Sequence, residues 1–130
     1  MTQIYVNLPV ADVERSKAFF IALGFSHNPQ FSDENAVCIV IADNICVMLL
    51  KTEYFKTFTP KAIVDARAAT EVLNCLGVDS RERFDFILQQ AVAQGGRLYS
   101  EFKDHGFMVQ HGFEDLDGHI WELVYAPPQG

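Results

Sequence analysis

Glu114-Asp115-Leu116-Asp117-Gly118-His119-Ile120-Trp121-Glu122-Leu123 is the stretch that decides the fold. Asp117-Gly118 is a tight-turn pair, because glycine takes positive φ without steric cost. The strand that follows, His119–Tyr125, alternates. Ile120, Glu122 and Val124 share one face, and Trp121 falls on the other, which assigns it to the core behind the sheet. Working outward, Phe107–Phe113 and Arg97–Phe102 read as two more strands. Ahead of them Asp79 opens a helix, with Glu82 three residues on at capping-box spacing. Phe84, Ile87, Leu88, Ala91 and Val92 form its apolar face, and Gly95-Gly96 stops it. Glu71–Val78 reads as the strand that begins this set, giving the order β-α-β-β-β.

The first half of the chain repeats that order. Ile4–Leu8 alternates, with Ile4, Val6 and Leu8 on one face and Tyr5 and Asn7 on the other. Asp12 caps a helix through about Leu23 whose stripe is Val13, Phe19, Phe20 and Leu23, and Gly24 ends it. Phe25–Phe31 is a weak strand that contains His27. Ala36–Ile41 and Ile45–Leu50 form a hairpin around Asp43-Asn44, residues that tolerate positive φ. A faint repeat is visible in the residues themselves: Val6-Asn7-Leu8 and Val10-Ala11-Asp12 correspond to Leu73-Asn74-Cys75 and Gly77-Val78-Asp79. The expected organisation is one domain over 1–130, with module one at about 1–52 and module two at about 71–126. Between them, about 53–70 is expected to carry short helices on either side of Pro60, since so long a structureless loop is unusual.

Composition narrows the function. A chain of 130 residues with 49% hydrophobic residues and 11 Phe builds a core without metals or disulfides as staples. A formal charge of −7 argues against nucleic acid and against an anionic membrane surface. No apolar run approaches the length of a membrane span, and Met1–Leu8 lacks the charged and apolar regions of a leader, so a soluble cytoplasmic protein is expected. The three cysteines, Cys38, Cys46 and Cys75, have no CxxC spacing and read as reduced, inert thiols in apolar strands. Gly95-Gly96 is a helix stop and not a phosphate loop.

Two β-α-β-β-β modules that close on Asp115-x-x-Gly118-x-x-x-Glu122 resemble the vicinal oxygen chelate superfamily, which includes glyoxalase I, bleomycin-resistance proteins and extradiol dioxygenases. The opening Asn7-Leu8-Pro9-Val10-Ala11-Asp12, with Ser16, Phe19 and Phe20, carries the same resemblance. It implies an α+β fold in which the tandem modules form a curved, cup-shaped mixed sheet with helices outside. It also implies a small-molecule ligand in the cup, commonly a divalent metal, and a homodimer.

The metal enzymes of that superfamily use four inward ligand positions, and this chain fills them poorly. The resemblance places Tyr5 at the first and Val72 near the matching one in module two. The last strand of module one offers Cys46, Met48 or Leu50, and only Glu122 has a suitable donor. The expected function is therefore small-molecule binding without the usual metal site and without a cofactor. Tyr5, Asn7, Met48, His111 and Glu122 are the candidate ligand contacts, and Glu122 is the candidate catalytic group if there is one. His111 and Glu122 would pair if their faces coincide, for acid/base work, ligand anchoring or half of a metal site. The alternative is a metal-dependent lyase, isomerase or dioxygenase of the glyoxalase type, with Glu122 and His111 in an atypical ligand set. His105 reads as a solvated turn residue, His119 as satisfying local backbone, and His27 as without a role.

Overall fold

The computed structural model describes residues 1–128, and the chain divides into two compact units, Met1–Ile63 and Val64 onward. The division falls inside the connecting segment. In the first unit, strand β1 (Ile4–Val10) leads into helix α1 (Val13–Ala22), followed by β2 (Ser26–Asn28), β3 (Ala36–Ala42), β4 (Ile45–Lys51) and a short helix α2 (Thr52–Phe55). In the second, β5 (Asn74–Gly77) precedes helix α3 (Arg81–Ala93), then β6 (Arg97–Asp104), β7 (Val109–Glu114) and β8 (Ile120–Tyr125). Each unit has its own four-stranded mixed sheet, in the orders β1-β4-β3-β2 and β5-β8-β7-β6. β1–β4 and β5–β8 are the parallel pairs, and the remaining pairs are antiparallel. The α+β class and the tandem β-α-β-β-β modules are as the sequence led one to expect.

Local chemistry explains most boundaries. The Asp12 carboxylate accepts from the Arg15 amide at 3.1 Å, and Gly24 ends α1 at φ 99°. Val13, Phe19, Phe20 and Leu23 are buried beneath the sheet along with Leu8, Val10, Val37, Ile39, Val47 and Leu49. In module two Phe84, Ile87, Leu88 and Ala91 of α3 are buried with Phe113, Trp121 and Leu123. At about 25 cal/mol per Å² of apolar area, these two helix–sheet layers supply the driving force for each unit.

Several expectations need correction. Ser80, not Asp79, caps α3, accepting from the Arg83 amide at 3.0 Å; Glu82 is thereby one residue out of step for a capping box. Val92 is 48% exposed and lies off the buried stripe. The strand expected from Glu71 starts only at Asn74, which pairs with Trp121 near the start of β8. The Thr70 hydroxyl instead donates to the Val72 carbonyl, holding a local turn. Short helical pieces occur only before Pro60, as α2 and a 3-10 turn at Lys56–Phe58. The β3–β4 turn closes without positive φ at Asp43 or Asn44, since Ser100 is the one described non-glycine residue with positive φ. A register shift between Val40 and Ala42 reshapes the strand end instead.

Candidate functional site

In module one the sheet face turned away from α1 forms the floor of a cavity of about 420 Å³. Alternation puts Tyr5 and Asn7 of β1 on this face, and Asn7 pairs in register with Met48 of β4. Ala36 and Leu50, also paired, extend the floor. The walls come from two segments: Gln30, Phe31, Ser32 and Asp33 after β2, and Tyr54 of α2 with Phe58 of the 3-10 turn after it. The tyrosine and phenylalanine rings meet edge to face, 5.2 Å apart at 83°. Hydrogen bonds fix the polar members. The Tyr5 hydroxyl donates to Gln3 Oε1 at 3.1 Å, the Asn7 amide donates to the Tyr5 carbonyl at 3.1 Å, and Asp33 Oδ1 accepts from the Asn35 amide at 2.8 Å. The Ser32 hydroxyl donates to the Asn28 carbonyl at 2.6 Å and accepts from the Cys38 amide at 3.1 Å, pinning the wall to the sheet edge.

Three of the five candidate contacts, Tyr5, Asn7 and Met48, are thus brought together. Gln30, Phe31, Asp33, Tyr54 and Phe58 were missed by the sequence reading. The i, i+4 spacing of Tyr54 and Phe58 next to a short helix was the available signal. Nothing local marks Phe31 or Asp33, which reach the cavity only because β2 is short and its loop folds over the sheet.

Glu122 lies in module two, 8% exposed on β8. Cys75 pairs with it on one side and Gly112 on the other. The carboxylate leans over Gly112, where an added Cβ would stand 3.1 Å from Glu122 Cδ and 2.8 Å from the Trp121 carbonyl. Gln110 Nε2 donates to Glu122 Oε2 at 3.4 Å, and Gln110 Oε1 is 3.1 Å from His105 Nε2. The histidine linked to Glu122 is therefore His105, from the turn expected to be merely solvated.

The expected His111–Glu122 pair does not form. His111 is in register with Leu123, not Glu122, so alternation sends the two side chains to opposite faces of the sheet. His111 Nε2 lies 3.2 Å from the Ser100 carbonyl, and its ring meets Phe102 edge to face at 6.1 Å. Val72 lies outside β5 and 51% exposed, in no position to act as a strand ligand. Among the described residues there is no group of three or more His, Cys, Asp or Glu side chains placed to hold a metal ion. Around Glu122 the donors are one amide and one thiol, a set that does not fit the four-ligand centre of the metal enzymes.

The cysteines divide. Burial, reinforced by Cys46, pushes the Cys38 thiol up to about 11, and both residues lie within the sheet. Cys75, expected to be buried, is exposed because β5 is an edge strand. Its thiol is still raised, by desolvation first and by the Glu122 charge second. Alkylation of the folded protein with iodoacetamide near pH 8 should modify Cys75 alone and slowly. Glu122→Gln should speed that reaction several-fold, since removing the charge lowers the thiol pKa. Modification of Cys38 at a comparable rate, or no acceleration in the variant, would contradict this arrangement.

Asp115 anchors the turn before β8. Its Oδ1 accepts from the Asp117 and His119 amides at 3.0 Å each, and Oδ2 accepts from Trp121 Nε1 at 3.0 Å. Burial pushes this carboxyl up, opposed by the charge of His119 and by those three donors.

Two four-stranded mixed modules, each opening with a strand–helix unit whose helix packs on one face of its sheet, define a tandem β-α-β-β-β fold. Residues 2–42 match the family model described as bleomycin resistance protein-like N-terminal. A hypothetical protein from S. aureus superposes with a TM-score of 0.81 at 27% identity, over 97% of this chain and 95% of that one. A glyoxalase-related enzyme from Fulvimarina pelagi gives 0.80 at 20% identity, over 100% and 94%. A glyoxalase/bleomycin resistance protein/dioxygenase family enzyme from Burkholderia phytofirmans PsJN gives 0.77 at 16%, over 97% and 99%. No curated protein matches the chain. The chain thus shares the α+β fold of these glyoxalase-like structures, and its N-terminal segment resembles that of bleomycin resistance proteins.

Proposed function

We propose that this protein binds a small organic molecule in the module-one cavity and does so without metal chemistry. The observation that carries this reading is the cavity itself: about 420 Å³, floored by Tyr5, Asn7, Met48 and Leu50 and walled by aromatic rings. A concave, largely apolar site with a few fixed polar groups is the usual form of a small-molecule site. The buried Glu122 carboxylate of module two, with Gln110 and Cys75 beside it and no group of three metal-ligating side chains among the described residues, supports a reading without the ordinary metal centre. In this reading the protein is cytoplasmic, works as a homodimer as the superfamily resemblance implies, and has no nucleic-acid or membrane partner. The formal charge of −7 supports the former exclusion, and no described helix is long and apolar enough to cross a membrane.

One observation favours a second reading. Glu122 is buried, yet among the described residues its carboxylate receives one long contact, from Gln110, which leaves lone pairs for a metal or a proton. A glyoxalase-type lyase, isomerase or dioxygenase would use Glu122 in that way. Thermal unfolding with and without Zn, Ni, Mn and Fe separates the two. The binding reading expects the midpoint to stay within about a degree, whereas a chelator-reversible rise of several degrees would move the enzyme reading to first place.

A further inference from the structure

We propose that the module-one cavity selects a monocation carrying an apolar body, of the quaternary or protonated alkylamine class, seated among aromatic rings beside Asp33. The inference rests on the cavity being a binding site and adds the charge and shape of its occupant.

The first ground is where the exposed aromatics stand. Among the described residues of the first unit, Met1–Ile63, the exposed aromatic side chains are Tyr5, Phe31, Tyr54 and Phe58, at 42%, 56%, 39% and 64%, and all four line this one cavity. Leaving large rings in water sacrifices burial energy, so their convergence from β1, the loop after β2 and the segment after β4 is not a scatter of surface residues. Tyr54 and Phe58 stand nearly perpendicular and form two sides of a box. Ring faces carry negative electrostatic potential and attract ammonium groups most strongly when the groups are partly desolvated.

The second ground is charge. The lining contains Asp33 and no Lys, Arg or His. Lys17 and His27 line a neighbouring polar hollow, which shares Ser32 and Asp33 with this cavity. An anionic ligand would meet a like charge with no cationic side chain in the lining, and a neutral one would offer Asp33 no counter-charge beyond the Asn35 amide that it already holds. A cation satisfies Asp33 and the rings at once. Asp33 is positioned for this by its own backbone, whose amide donates to the Ala36 carbonyl at 2.8 Å, and by the Asn35 amide on Oδ1. The acidic chain as a whole raises the local concentration of cations further. Met48 and Leu50 on the floor supply the apolar contact for the ligand's body.

Three probes of matched shape test the proposal, with binding followed by NMR shifts of the cavity residues: benzyltrimethylammonium, its neutral carbon isostere neopentylbenzene, and 4-tert-butylbenzoate. The cation is expected to bind about tenfold or more tightly than the isostere, with the anion weakest. Asp33→Asn, which keeps the acceptor for Asn35, and Phe58→Leu, at an exposed position, should each weaken the cation by about three- to tenfold and leave the isostere nearly unchanged. Equal affinity for cation and isostere, preference for the anion, or no binding of any probe overturns the proposal. Binding of the isostere alone would overturn cation selection and leave the small-molecule reading intact. A chelator-reversible metal effect would sink the metal-free reading, whatever the probes do.

Discussion

Asp115→Ala should cost this protein about 3 kcal/mol, the largest loss expected from a single polar side chain here. The carboxylate satisfies three N–H donors, those of Asp117 and His119, which are part-buried, and that of the Trp121 indole, which is buried away from water. Alanine removes this acceptor from all three, next to a fully buried Trp121. Asp115→Asn should cost roughly half as much. The amide oxygen can still accept from the two turn amides, but its NH₂ then faces the indole N–H donor to donor. Burial already disfavours charge at this position, so loss of the charge itself adds little. Urea unfolding of the three proteins checks the ordering. A loss under about 1 kcal/mol for the alanine variant would mean that the turn is held by its backbone bonds alone, such as Gly118 N–H to the Asp115 carbonyl.

Gly112→Ala is the second. The added methyl would stand 2.8 Å from the Trp121 carbonyl oxygen, a backbone atom fixed between two ladders, and 3.1 Å from the Glu122 carboxyl group. Relief requires shifting β8 or swinging Glu122 out of its buried position, at an expected cost of about 2 kcal/mol. Glu122→Ala in the same chain should restore less than half of that, because the tighter contact is with backbone that the second substitution does not remove. Full recovery in the double variant would show that the carboxylate, and not the Trp121 carbonyl, excludes the methyl. The Gly112→Ala variant should also lose the Gln110 contact to Glu122, visible as a change in the rate of Cys75 alkylation.

These two residues mark how far local sequence reaches. Asp115 and Gly118 announce a turn and a following strand, and the alternation of Ile120, Trp121 and Glu122 correctly sends the indole to the core and the carboxylate to the other face. Gly112 carries no such signal. Its lack of a side chain matters only because β7 lies beside β8 in the register that pairs it with Glu122.

What the sequence alone determined is whatever depends on neighbours in the chain: the alternation of β1 and β8, the Asp12 cap, the glycine stops of both helices, and the tandem β-α-β-β-β order that follows from them. Tyr5 and Asn7 were legible as a pair for the same reason, since strand period leaves a single face for them, whereas Met48 came only from the superfamily resemblance. Tertiary structure decided the rest. It moved the helix cap to Ser80, cut β5 to four residues, exposed Cys75, and replaced His111 by His105 as the histidine joined to Glu122. It also drew Phe31, Asp33, Tyr54 and Phe58 around one cavity. Each of these turns on which strand pairs with which, and in what register. A shift of one residue reverses every side chain's face, and that choice is made by long-range packing of the sheet.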